Sequence, residues 1–153
     1  MDEQAVSGMD KKQFSERDIC TKFITPSLIQ AGWNLQTQIR EEVTFTAGRV
    51  IVRGRLHSRG KQRRADYVLN YQQNQPIAVI EAKDNSHSLG DGMQQALAYS
   101  DALDVPFVFS SNGDGFLFHD RTGMGPATET TLSLDEFPYP VYLWERYCRY
   151  KGV

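Results

Sequence analysis

Apolar and polar positions change period several times along the 153-residue chain, and each change marks an element. Phe14, Ile19, Cys20, Phe23, Ile24 and Leu28 recur at helical spacing until Gly32, and Ser15 with Asp18 three positions on is a capping-box signature. A helix over 15–31 is predicted, with Thr25-Pro26 either kinking it or starting a second short helix. The pattern then shortens to β-rich runs at 35–45, 49–57, 65–71 and 77–83. A hairpin closing around Gln73-Asn74 would pair Val68 with Val79 and Asp66 with Glu81. Met93, Ala96, Leu97 and Leu103 form the buried stripe of a second helix that Ser88 and Asp91 can cap. An apolar run at 105–110, the Asn112-Gly113 turn and a run at 115–119 extend the sheet. After a Gly-, Thr- and Pro-bearing loop, Leu143, Trp144 and Tyr147 mark a last helix over 141–150. Helix, strands, helix, strands, helix is the order of an α/β fold, a mixed central sheet flanked by helices. Residues 1–13 are polar and aperiodic, a lead-in to one domain over 14–153.

Composition narrows the setting. Cys20 and Cys148 match no metal or disulfide spacing, and no run approaches the ~20 apolar residues of a membrane span, so a cytoplasmic protein without membrane association is expected. A net charge of −2 argues against a generic nucleic-acid coat, yet Arg49, Arg53, Arg55, Arg59, Lys61, Arg63 and Arg64 fall between Glu42 and Asp66 with no acidic residue among them. Alternation along 49–57 places most of its basic residues on one strand face, a candidate phosphate track; the alternative is a solvated face.

Candidate chemistry gathers near the end of the apolar run 77–80. Glu81 and Lys83, two apart on a strand, project to one face, and the hairpin register brings Asp66 opposite Glu81. Two carboxylates can hold Mg²⁺, which prefers oxygen donors and keeps several waters. A metal so held polarises a phosphoryl oxygen and acidifies a bound water, while a neighbouring lysine stabilises developing negative charge, the requirements of phosphodiester hydrolysis. Glu-x-Lys alone is unspecific, and a strand-end salt bridge is the other reading of the pair. His57, His87 and His119 are scattered and read as ordinary polar residues, G-x-S-x-G is absent, and the aromatics Tyr139, Tyr142, Trp144, Tyr147 and Tyr150 read as packing or interface. Gly54 to Gln62 is a poor P-loop: five residues separate Gly54 from Gly60-Lys61, and Gln62 stands where Ser or Thr is needed. No ATP site is expected in this chain.

Ser15-Glu16-Arg17-Asp18-Ile19-Cys20-Thr21-Lys22-Phe23-Ile24 with Ala31-Gly32-Trp33, Arg64-Ala65-Asp66-Tyr67, Ile80-Glu81-Ala82-Lys83, Gln95-Ala96-Leu97-Ala98-Tyr99 and Leu143-Trp144-Glu145-Arg146-Tyr147 together resemble the N-terminal nuclease region of the R (HsdR) subunit of type I restriction enzymes, within the PD-(D/E)xK, RecB-like nucleases. Ala65 stands where that family's motif has proline. The resemblance implies a nuclease triad of Asp66, Glu81 and Lys83, with Asp66 and Glu81 as metal ligands for Mg²⁺ (or Mn²⁺ in its place). It implies auxiliary roles for Glu16, beside the metal, and for Gln95 and Tyr99, as the QxxxY element. Glu16, Gln95 and Tyr99 are expected to line one cleft. Arg53, Arg55, Arg59, Lys61, Arg63 and Arg64 would grip the phosphates of double-stranded DNA, giving affinity without sequence choice. The family also implies an ATP-driven motor following the nuclease region, and methyltransferase and specificity subunits as partners. A docking module that keeps the fold without catalysis, and a standalone RecB-like repair nuclease, are the competing expectations.

Overall fold

A computed structural model describes residues 11–46 and 62–153. The expected strand at 49–57, and with it Arg53, Arg55, Arg59 and Lys61, lies outside the described residues.

The first helix begins where the capping box places it. Asp18 N–H donates to Ser15 Oγ at 3.0 Å and Ser15 N–H donates to the Asp18 carboxylate at 3.1 Å, satisfying two otherwise orphaned donors. The helix then runs in three stretches: α1 (Glu16–Ile19), a π-helical Cys20–Ile24, and α2 (Thr25–Gln30). Pro26 lacks an N–H and its ring crowds the preceding turn, so the wider π turn, closed by Thr25 N–H on the Cys20 carbonyl, carries the chain past it. The Thr25-Pro26 signal thus starts a second short helix.

Six strands follow: β1 (Ile39–Thr46), β2 (Gln62–Asn70), β3 (Pro76–Ala82), β4 (Phe107–Ser111), β5 (Gly115–Asp120) and β6 (Glu129–Ser133). They lie in sequence order in one mixed sheet, antiparallel except for β3 and β4. A parallel neighbour needs a long crossover, and α3 (Met93–Leu103) supplies it. Asn74, with φ of 60°, turns the β2–β3 hairpin, and Val68 pairs with Val79 as the sequence predicts. Two expectations are corrected. Ser88 and Asp91 do not cap α3: they bond one another one turn earlier, Ser88 Oγ donating to Asp91 at 2.6 Å, and Gly92 precedes the helix. The loop expected after His119 contains β6 and a 3-10 turn, Leu134–Glu136, whose polar, exposed strand offered no apolar alternation to detect.

Helices cover both faces of the sheet. On one, Ile19, Ile24, Leu28 and Trp33 join Leu143 and Tyr147 of α4 (Pro140–Lys151) over Tyr67, Leu69, Ile80, Phe107 and Phe109. On the other, Met93, Ala96 and Tyr99 of α3 pack on Val68, Val79 and Val108. Tyr67 ties the first layer to the sheet: its hydroxyl donates to the Cys20 carbonyl at 3.1 Å and lies 2.7 Å from Thr25 Oγ1. Tyr67→Phe is expected to cost about 1–2 kcal/mol by leaving buried acceptors unpaired, measured by urea denaturation; an unchanged midpoint would remove Tyr67 as the anchor of the π-helical segment.

Candidate functional site

Asp66 and Glu81 meet where β2 and β3 stop pairing through their backbones. The ladder runs from Asn70↔Pro76 to Tyr67↔Ile80, and beyond it side chains take over. Asp66 N–H donates to Glu81 Oε2 at 3.0 Å, and Ala82 N–H donates to Asp66 Oδ2 at 2.8 Å. Each carboxylate therefore spends one oxygen on the opposite strand's backbone and keeps the other for a further partner. Geometry of this kind fixes two carboxyl groups side by side in the sheet instead of letting them rotate apart.

Glu81 is 5% exposed. Gly92 makes that burial possible: a Cβ there would come within 3.4 Å of Glu81 Cβ and 3.1 Å of Ser110 Oγ. Ser110, paired with Glu81 in the β3–β4 register, pins the covering loop by accepting from Gly92 N–H at 3.1 Å and donating to the Leu89 carbonyl at 2.8 Å. Burial and then the adjacent Asp66 charge push the Glu81 carboxyl far above the usual carboxylate range. Glu16 on α1 is raised too, by burial first and Asp66 second, with Lys83 and His87 pulling in the opposite direction. Glu16 thus belongs to the same electrostatic cluster as Asp66, Glu81 and Lys83. Cys20, one turn along from Glu16, is buried, and its thiol is pushed up to about 12, which makes it a poor nucleophile.

Lys83 lies just past the end of β3, its N–H donating to the Ser111 carbonyl at 2.9 Å. Its ammonium makes no ion pair within 4 Å among the described residues, so the strand-end salt bridge with Glu81 does not form. Gln95 and Tyr99 bond one another and line, with Gln62, Arg63, Arg64 and Ala98, a hollow of about 500 Å³. Tyr99 also packs edge-on against Phe45, 5.1 Å between centroids. Glu16 feels the charges of Asp66 and Lys83 from α1, and Gln95 and Tyr99 sit with two arginines on α3's side.

Sequence reasoning missed Gly92 and Ser110, whose roles depend on what the crossover packs against, and Arg17, which bonds Glu41 and Glu42 of β1. The donor set suits a magnesium-type ion: two adjacent carboxylates, each with an oxygen to spare, whose mutual repulsion a dication would relieve. No cluster of three or more His, Cys, Asp or Glu side chains in metal-binding range occurs among the described residues.

Comparison with known proteins agrees with this architecture. The model of a family described as the type I restriction enzyme R protein N terminus matches residues 35–138. The type I restriction enzyme EcoAI endonuclease subunit of Escherichia coli is 47% identical over 148 residues, which are 96% of this chain and 18% of that protein. A fragment structure from Vibrio vulnificus YJ016, titled as an HsdR subunit of a type I restriction enzyme, is 40% identical with a TM-score of 0.74, covering 92% of this chain and 26% of that one. The cryoEM structure of a DrdV–DNA complex shares the fold at a TM-score of 0.50 and 16% identity, over 91% of this chain and 12% of that one. The chain thus spans less than a fifth of the length of the curated relative it matches.

The raised Glu81 carboxyl has a measurable consequence in metal-free protein. The folded state retains a proton that the unfolded chain releases, so the stability it contributes is complete below the ordinary value of 4.5 and is lost as pH rises through the higher folded value. Glu81→Gln in EDTA is expected to be more stable than the parent by more than about 1 kcal/mol at pH 8, the gap closing towards pH 5. Denaturant titrations across that range measure it, and a pH-independent gap would contradict the burial of an ionising carboxyl.

Proposed function

This chain belongs to the family of type I restriction enzyme R protein N termini, and from that premise we propose that it is the Mg²⁺-dependent DNA-cutting domain of such a subunit. The observation that carries the reading is the reciprocal clasp of Asp66 and Glu81, two carboxylates held together at an energetic cost that a bound dication would offset. Asp66 and Glu81 would hold Mg²⁺, or Mn²⁺ in its place, each through the oxygen the opposite backbone does not use. Such an ion, when bound, polarises a phosphoryl oxygen and supplies a hydroxide-like water at neutral pH. Lys83, unpaired with either carboxylate, is free to face the attacked phosphate and stabilise the charge that develops on it. Glu16 would add negative charge on the α1 side of the carboxylate pair and so favour a cation there. Arg63 and Arg64, beside Gln95 and Tyr99, would seat the DNA backbone next to the carboxylates.

Nothing in this assignment reads bases, so the choice of target belongs to other parts of the assembly. The relative's name as the endonuclease subunit of a type I restriction enzyme supports a chain that works within a restriction complex; methyltransferase and specificity subunits, an ATP-driven motor and double-stranded DNA are the partners that the family resemblance implies for it. No helix among the described residues is long and apolar enough to cross a membrane.

In the assembled enzyme, Asp66→Ala and Glu81→Ala are expected to lower DNA cleavage by at least about 100-fold while leaving ATP-driven translocation intact. Lys83→Ala is expected to lower cleavage similarly but to leave Mn²⁺ affinity of the chain unchanged, whereas the two carboxylate variants lose it. Cleavage assays on plasmid DNA and Mn²⁺ titration read the two effects. Cutting that survives Asp66→Ala would favour the docking module, a fold that holds DNA or partners without hydrolysing them.

A further inference from the structure

Arg17 on α1 and Arg64 on β2 converge on one carboxylate, that of Glu42 on β1. Arg17 Nη1 bonds Glu42 Oε2 and Arg64 Nη1 lies 3.6 Å from Glu42 Oε1, while Arg17 Nη2 reaches Glu41 Oε1 at 3.2 Å. Glu42 thus offers one oxygen to each guanidinium, as a phosphodiester would offer its two non-bridging oxygens. Glu42 is held there with φ of 52°, the left-handed region that a non-glycine residue enters at a cost. The β1–β2 ladder passes from Glu41↔Tyr67 to Val43↔Ala65 and leaves out the Glu42–Asp66 position between them. All three side chains face solvent, Arg17 and Glu42 at 43% and Arg64 at 65% exposure. Ion pairs so exposed contribute little stability, and an incoming anion can exchange for the carboxylate. The position is also apt: Arg17 follows Glu16, and Arg64 lies two residues before Asp66 and lines the hollow with Gln95 and Tyr99.

We propose that Arg17 and Arg64 form a phosphate clamp on the rim of the carboxylate site, and that Glu42 fills it as a carboxylate stand-in until a DNA backbone phosphate displaces it. The inference rests on the nuclease reading and sharpens it, by naming which cations take the strand next to the cutting centre and what holds them beforehand. Glu42 then acts as a positioning residue. It keeps two arginines from different elements aimed at one point, at the expense of affinity in the free protein.

The test is a double-mutant cycle on DNA affinity, read by anisotropy of a labelled duplex of unrelated sequence, in EDTA, from about 25 to about 200 mM NaCl. Glu42→Gln is expected to tighten binding by roughly fivefold, and Arg17→Ala and Arg64→Ala each to weaken it and flatten the slope of log K against log salt by about 1. In the Arg17→Ala, Arg64→Ala background, Glu42→Gln should gain almost nothing. Equal gains in both backgrounds would show a charge acting only at long range and overturn the clamp. Glu145→Gln, the same charge removed from an exposed site on α4, sets the size of that long-range contribution. Thermal melts of every variant expose the structural alternative: Glu42→Gln that melts earlier without binding more tightly refutes the inference, as does failure of both the parent chain and Glu42→Gln to bind at the lowest salt. Failure of the nuclease reading is visible separately, as cleavage that persists in Asp66→Ala, and it leaves the coupling measurement interpretable.

Discussion

Two carboxyl groups held side by side, one buried and one half-buried, resist ionising together, and the fold around Asp66 and Glu81 is arranged so that they cannot separate. Each carboxylate is bonded to the backbone of the other's strand, so moving one away breaks a hydrogen bond at a place where no backbone pair stands in reserve. Tyr67, next to Asp66, is fully buried and fastened to the π-helical segment. On the other face, Ser110 fastens the loop that brings Gly92 over Glu81. Strand register, the helix before the sheet and the crossover helix therefore all bear on one pair of carboxyl groups. A hydrophobic pair would fill the same space at less cost; two acids retained there support the proposed ligand site.

The clasp also explains why the crossover starts with Gly92 and not with the expected cap. Ser88 and Asp91 satisfy each other one turn before α3, which lets the chain descend close enough to β3 and β4 to exclude water from Glu81. A side-chain cap at Gly92 would occupy the volume that Glu81 Cβ and Ser110 Oγ already fill. Helix capping and carboxylate burial compete for the same few ångströms here, and burial prevails.

Much of this was legible in the chain because it follows local rules. The Ser15–Asp18 box, the Asn74 turn and the two-residue strand period are nearest-neighbour effects, and from them the register that joins Asp66 to Glu81 could be written down. Properties set by distant packing were not legible. The exposed β6 has no apolar alternation because only its pairing with β5 makes it a strand. That α1, with Glu16, and α3, with Gln95 and Tyr99, pack on opposite faces of the sheet is not encoded by sequence spacing. Glu81 and Lys83 share a strand period, yet β3 ends at Ala82, and Lys83 then follows the backbone of β4 instead of its former neighbour.

The distribution of charge bears on the proposed function. A chain with a net charge of −2 that receives a polyanion, as proposed, would need its cations placed and its anions shielded. At the centre, burial and then the adjacent Asp66 charge push the Glu81 carboxyl above the usual carboxylate range and so favour its neutral form. At the rim, Glu42 neutralises Arg17 and Arg64 in the absence of a better anion. On the proposed reading the rim would reverse when a partner arrives, a backbone phosphate freeing Glu42. Weak attraction for DNA would then follow from the rim itself, because Arg17 and Arg64 are satisfied by Glu42 until an anion of higher charge replaces it.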